Sequence, residues 1–157
     1  MSAVTQSALS ALPPHRPYGP PVAFSHADPA AGERAGAPRR VLVVEDDFLV
    51  AGELEHCLTA AGFQVIGPAA TAEEAIALAA DGMPDLIIMD VRLAGPRDGV
   101  EAAIHIYKHF GVRSMFATAH SDRQTRARGQ EANPLGWVAK PYSPAGLVAE
   151  ISAHFDD

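Results

Sequence analysis

Val41-Leu42-Val43-Val44-Glu45-Asp46-Asp47 is the stretch that decides the fold. Its first four residues are apolar without interruption and mostly β-branched. That is the pattern of a strand buried on both faces of a parallel sheet, not of a strand with one wet side. The run then breaks into three carboxylates, which an apolar core does not accept, so the strand must end at a surface.

Downstream the signals alternate. Val50, Leu54, Leu58 and Ala61 recur at spacings of four, four and three along one helical face, and Gly62 closes that helix. Phe63–Ile66 reads as a second strand. Thr71 with Glu74 is a capping-box signature and opens a helix through Ala75, Ile76, Ala79 and Ala80. Asp85-Leu86-Ile87-Ile88-Met89 is a third strand, delivering Asp90 at its carboxyl end. Val100–Phe110 is helical, Ser114–Ala117 is a strand ending at Thr118, and a weaker helix over residues 122–131 is interrupted by Gly129. Trp137-Val138-Ala139 is the last strand and runs into Lys140-Pro141, where a cis bond would turn the chain sharply. Ser143 then caps a final helix with Pro144 at its first position. Five strands alternating with five helices through short loops imply a doubly wound parallel sheet, with the site at the carboxyl ends of its strands.

Upstream, residues 1–38 read as a disordered Pro/Ala-rich tail, with the folded domain over 39–157. Seven of the thirteen prolines fall in that tail, amid Ala, Ser and Gly and without periodicity. Such a segment cannot bury enough apolar surface to offset its ordering entropy. Its expected role is a spacer, or a docking peptide around Pro17-Tyr18-Gly19-Pro20-Pro21. The formal net charge is −7, and residues 1–40 are net basic, so the acidic excess lies in the domain. Phosphate repulsion makes such a domain a poor binder of nucleic acid. No signal peptide or membrane-spanning run is present, which makes the cytoplasm the default compartment. Cys57, the only cysteine, lies between Leu54 and Leu58 and reads as a small core residue.

Three carboxylates are expected to converge: Glu45 and Asp46 after the first strand, Asp90 after the third. Anions this close repel unless a cation or proton intervenes. Oxygen-only ligands suit a hard divalent ion, with Mg²⁺ the expected one, and Mg²⁺ usually pairs one or two carboxylates with substrate phosphate oxygens. A lysine at the end of the fifth strand, Lys140, would keep its charge beside them and pair with a phosphoryl oxygen.

The order Val43-Val44-Glu45-Asp46, Asp90 after an apolar strand, Thr118-Ala119 and Trp137-Val138-Ala139-Lys140-Pro141 resembles the two-component response-regulator receiver family across roughly residues 40–155. The resemblance implies a flavodoxin-like (βα)5 fold with strand order 2-1-3-4-5. It implies Asp90 as phosphoacceptor from a histidine kinase or phosphotransfer protein. Asp46 would ligate Mg²⁺ directly, Glu45 mainly through water and Arg92 through its backbone carbonyl. Lys140 would bind the acyl phosphate, Thr118 a phosphoryl oxygen, and Trp137 would be the switch aromatic. Such a protein is no enzyme in the ordinary sense, though it catalyses its own phosphotransfer and dephosphorylation. The end of the chain at Asp157 leads to the expectation of a stand-alone receiver that signals through a downstream protein target or acts as a phosphoryl relay or sink.

There are departures. Receivers usually carry proline four residues after the nucleophile and glycine eight after it, whereas here Ala94 and Gly99 make the loop one residue longer. Phe116-Ala117-Thr118 resembles the start of the signature of the "FAT GUY" single-domain group, but Ala119-His120 follows in place of glycine. Arg92 and His120 flank the expected path of a hydrolytic water, and Arg123, Arg126 and Arg128 form either a solvated face or a patch for an acidic partner. Two other readings compete. A haloacid-dehalogenase-type phosphatase needs a second acid where Arg92 stands. A pseudo-receiver binding module typically lacks one of the acids or the lysine, and all are present here.

Overall fold

A computed structural model describes residues 36–157 of the protein. The expected tail lies outside the described residues except for positions 36–38. The strands are β1 (Arg40–Val44), β2 (Gln64–Ala69), β3 (Leu86–Met89), β4 (Ser114–Thr118) and β5 (Gly136–Ala139). The helices are α1 (Phe48–Ala60), α2 (Ala72–Gly82), α3 (Gly99–Phe110), α4 (Arg123–Gly129) and α5 (Pro144–Asp156). The strands form one sheet in the order β2-β1-β3-β4-β5, and every pairing is parallel. This is the flavodoxin-like order expected above.

The continuous apolar runs have the expected cause. β3 and β4 are buried along their whole length, and β1 is buried after its first residue. Successive side chains point to opposite faces, so each strand feeds two cores. On one face Leu42, Ile87, Met89 and Phe116 pack with the alanines of α2 and α3 and with Ile106. On the other, Val41, Val43, Leu86 and Ile88 pack with Leu54, Leu58, Leu147 and Ile151 of α1 and α5. Each such side chain contributes about 1.5–3 kcal/mol on burial.

Helix starts are set by side chains that accept otherwise unpaired N–H groups. Asp47 caps α1, Thr71 caps α2 and Ser143 caps α5 ahead of Pro144. Asp98 and Glu101 form a reciprocal capping box on α3 that the sequence reading passed over.

The largest boundary shifts fall on β2 and the fourth helix. β2 starts at Gln64 and continues to Ala69, beyond Ile66, with its register broken between Leu42 and Val44 of β1. The helix expected over 122–131 is α4 followed by a separate 3₁₀ turn, Gln130–Ala132. Both Gly67-Pro68 and Lys140-Pro141 are cis. No helix among the described residues is long and apolar enough to cross a membrane.

Candidate functional site

Adjacency of β1 and β3 assembles the acidic cluster. Val44 is in register with Met89, so the next residues, Glu45 and Asp90, leave the sheet side by side. Their backbones stay anchored: Asp90 N–H donates to the Val44 carbonyl at 3.0 Å, and Glu45 N–H to the Ala69 carbonyl at 2.9 Å. Glu45 is 4% exposed and Asp90 6%, while Asp46 faces solvent. Ligand oxygens of all three lie within 4.8 Å of one another.

Lys140 reaches this cluster from the end of β5. Its ammonium donates to Glu45 Oε2 at 2.6 Å and to Asp90 Oδ2 at 2.7 Å, although Asp90 is 50 residues away in sequence and Glu45 95. Burial opposes the Lys140 charge, but hydrogen bonds and attraction from Asp90 and Glu45 outweigh it, and the ammonium is held above the usual lysine range. Burial, reinforced by the Asp90 charge, pushes the Glu45 carboxyl up, while bonds from Lys140 and from the Asp47 N–H at 3.0 Å work the other way. Asp47 therefore does two things: it caps α1 and fixes the rotamer of Glu45.

The donor set fits Mg²⁺. It holds three carboxylates with ligand oxygens within 4.8 Å of one another and, among the described residues, no nitrogen or sulfur ligand, which suits a hard oxygen-seeking divalent ion. Thr118 ends β4 fully buried, and its Oγ1 accepts from the His120 N–H at 3.1 Å. Since the hydroxyl is used there as an acceptor, its own proton is free to donate elsewhere.

Residues 41–152 match the family model described as the response regulator receiver domain. The chain belongs to the response-regulator receiver family. Over 123 residues it is 35% identical to the transcriptional regulatory protein PdtaR of Mycobacterium tuberculosis, covering 78% of this chain and 60% of that protein. To the phyllosphere-induced regulator PhyR of Methylorubrum extorquens it is 36% identical over 113 residues, covering 71% of this chain and 42% of the relative. The receiver thus spans about half of the curated relatives it matches. Among solved structures, the signal receiver domain of a modulated diguanylate cyclase from Desulfovibrio desulfuricans is 34% identical, with a TM-score of 0.67 over 75% of this chain and 95% of that one. A CheY-like receiver from Methanospirillum hungatei is 24% identical, with a TM-score of 0.71 over 76% of this chain and 95% of that one, and shares the fold. The protein is a response regulator receiver of a two-component system.

The receiver's other expected positions fall as follows. Arg92 and His120 are exposed, two residues beyond Asp90 and Thr118. Trp137 is half-buried, with its ring stacked on Phe116 at 4.2 Å between centroids. Cys57 packs against the core shared by α1 and α5.

Two glycines matter that the sequence reading did not single out for the site. A Cβ on Gly99 would lie 1.8 Å from the Asp90 carbonyl oxygen, so only glycine lets α3 start against the backbone of Asp90. A Cβ on Gly129 would lie 2.6 Å from Cζ2 of Trp137, so this glycine leaves the slot the indole fills. The arginines of α4 are also less free than their spacing implies: Arg128 pairs with Asp98 at 2.9 Å, and Arg126 lies over the Trp137 ring at 5.4 Å.

Proposed function

We propose that this receiver accepts a phosphoryl group on Asp90 from a phosphohistidine of a sensor kinase or phosphotransfer protein. The observation that carries the reading is the contact of the Lys140 ammonium with Asp90 at 2.7 Å, within an otherwise acidic, largely buried cluster. A carboxylate oxygen of Asp90 attacks phosphorus; the P–O bond forms as the P–N bond breaks, and the imidazole nitrogen keeps the electron pair of the broken bond. Glu45, Asp46, Asp90 and the Arg92 backbone carbonyl would hold Mg²⁺, which when bound neutralises phosphoryl charge.

Reactions of this kind need positioning and charge compensation more than covalent assistance. Lys140 supplies a fixed cation next to the acceptor oxygen and then pairs with the acyl phosphate. Thr118 donates its free hydroxyl proton to a phosphoryl oxygen. Arg92 and His120 would orient or block the water that later attacks phosphorus, returning the Asp90 carboxylate and inorganic phosphate. In this reading residues 39–157 make up the receiver. Its signal passes to a protein partner, or the domain serves as a phosphoryl relay or sink, since its acidity disfavours nucleic acid.

The test is intact-mass measurement after incubation with acetyl phosphate and Mg²⁺. One phosphoryl adduct is expected on the wild type and none on Asp90→Asn. An adduct on both, or on neither while both remain folded, refutes the reading. Pull-downs with and without a beryllofluoride mimic then separate an adaptor, which gains a target, from a relay, which does not.

A further inference from the structure

The outer side of α3 carries two side chains that the acidic cluster does not use. His105 and His109 lie one turn apart, at i and i+4, where side chains of a helix stand one above the other. Their rings are stacked, with centroids 4.0 Å apart and planes 19° from parallel. His109 is exposed and His105 is half-buried, while Ile106 between them turns into the core. His109 Nδ1 stands 2.8 Å from the His105 carbonyl oxygen. A carbonyl only accepts, so Nδ1 carries the proton, and in the neutral ring the lone pair is left on Nε2. Metal-binding imidazoles are commonly held in this way through their second nitrogen. Burial, then the charges of His109 and Arg97, hold His105 below the usual histidine range, so its ring keeps a lone pair at neutral pH. Two neighbouring cations are themselves paired, Lys108 with Glu131 at 2.8 Å and Arg97 with Glu73 at 3.8 Å. The last turns of a helix also favour a cation, because the negative end of its dipole lies there.

We propose that His105 and His109 form a second metal site, a two-imidazole chelate on α3 for a borderline divalent transition ion of the Zn²⁺ class. Imidazole nitrogen suits such ions, whereas Mg²⁺ prefers oxygen, so the two sites sort metals by ligand chemistry. Zinc takes nitrogen at about 2.0–2.1 Å, so the rings must swing out of their stack to aim both Nε2 atoms at one ion. Rotation about the bond to an imidazole ring is soft, and the exposed side of α3 leaves room for it. Water fills the remaining coordination positions. The bound ion clips together the last turns of α3, the helix whose first residue rests on the backbone of Asp90. Neither ligand belongs to the acidic cluster, so the site stands whether or not Asp90 accepts a phosphoryl group.

The experiment titrates Zn²⁺ into the untagged full chain in competition with a chromophoric chelator. Excess Mg²⁺ occupies the acidic cluster, and the proteins are wild type, His105→Gln, His109→Gln and Asp46→Asn. One tightly held ion per chain is expected on wild type, and the same affinity on Asp46→Asn. Loss of either imidazole should weaken binding about tenfold or more, since even removing a hydrogen-bond partner of a metal ligand costs that much. Circular dichroism of each variant establishes that it is folded. Nitrogen-15 NMR of the wild type adds a readout that needs no variant: Zn²⁺ should shift Nε2 of both rings while His109 keeps its Nδ1–H.

Binding of wild-type strength in either histidine variant overturns the site, because the ion then sits elsewhere among the chain's seven histidines or its acids. A loss confined to Asp46→Asn does the same, by placing the ion in the acidic cluster. So does zinc displacing the His109 Nδ1 proton, or the absence of saturable binding to wild type.

Discussion

Replacing Gly129 by alanine sets two opposing effects against each other at one atom. The backbone there is already helical, with φ −66° and ψ −17°, so alanine introduces no torsional strain. Gly129 is the last residue of α4, so the gain through propensity is at most the interior value of about 0.8–1 kcal/mol. Against that, the new Cβ would sit 2.6 Å from Trp137 Cζ2 and 3.0 Å from Cη2. The indole has little room to yield, because it is stacked on the fully buried Phe116. Overpacking of this kind costs about 1–3 kcal/mol, so the net change is a loss on the order of 1 kcal/mol. For a domain of this size that lowers Tm by about 4 °C. In a Trp137→Phe background the atoms that clash are gone while the propensity gain remains. The same Gly129→Ala change should then stabilise by up to about 1 kcal/mol. Urea denaturation of the four proteins of this cycle measures the coupling directly. If Gly129→Ala has the same effect in both backgrounds, to within about 0.5 kcal/mol, the slot argument is wrong.

Other expectations follow from the same geometry. Mg²⁺ at a hundred times its Kd should stabilise the domain by about 2.7 kcal/mol in thermal melts, and Asp46→Asn should lose most of that gain. Lys140→Met should destabilise the domain by about 3–5 kcal/mol in urea titrations, because it strands two buried carboxylates that the ammonium now joins. Burial, the largest influence, pushes the Tyr142 phenol up from 10.0 to about 12, with the Lys140 charge working against it. The folded state thus holds that proton more tightly than the unfolded state. Its contribution is complete below pH 10 and fades as pH rises toward 12, a loss that melts of Tyr142→Phe should not show. Lys108→Ala removes an ion pair of two exposed partners and should leave the denaturant midpoint within the scatter of the titration.

The alternation of strands and helices was legible because a parallel sheet buries both faces of its inner strands, which leaves unbroken apolar runs. β2 was harder for the same reason. It lies at the sheet edge, much of it is exposed, and it contains Gly67-Pro68, neither of which favours a strand. Asp90, Glu45 and Lys140 could be expected together because strand ends converge, but the clasp of one ammonium between two carboxylates depends on side-chain placement. Gly129 shows the limit most clearly. In sequence it weakens a helix; in the structure it makes room for a ring from β5, a tertiary reason that no local pattern carries. Arg126 and Arg128 likewise looked like a solvated basic face until their partners were visible.

The approach of Gly99 to Asp90 has a consequence for how the receiver tolerates change. Gly99 N–H donates to the Val91 carbonyl at 2.7 Å, and its Cα edge rests on the Asp90 carbonyl. These contacts tie the two ends of the segment 91–98 together at its base, like the neck of a bag. Whatever length of chain hangs from that neck, the backbone of Asp90 is held by the knot and not by the contents. The extra residue in this loop therefore need not displace Asp90 itself. Loop length becomes a quantity that can drift, or be engineered, to alter what the surface presents, while glycine at the knot stays fixed.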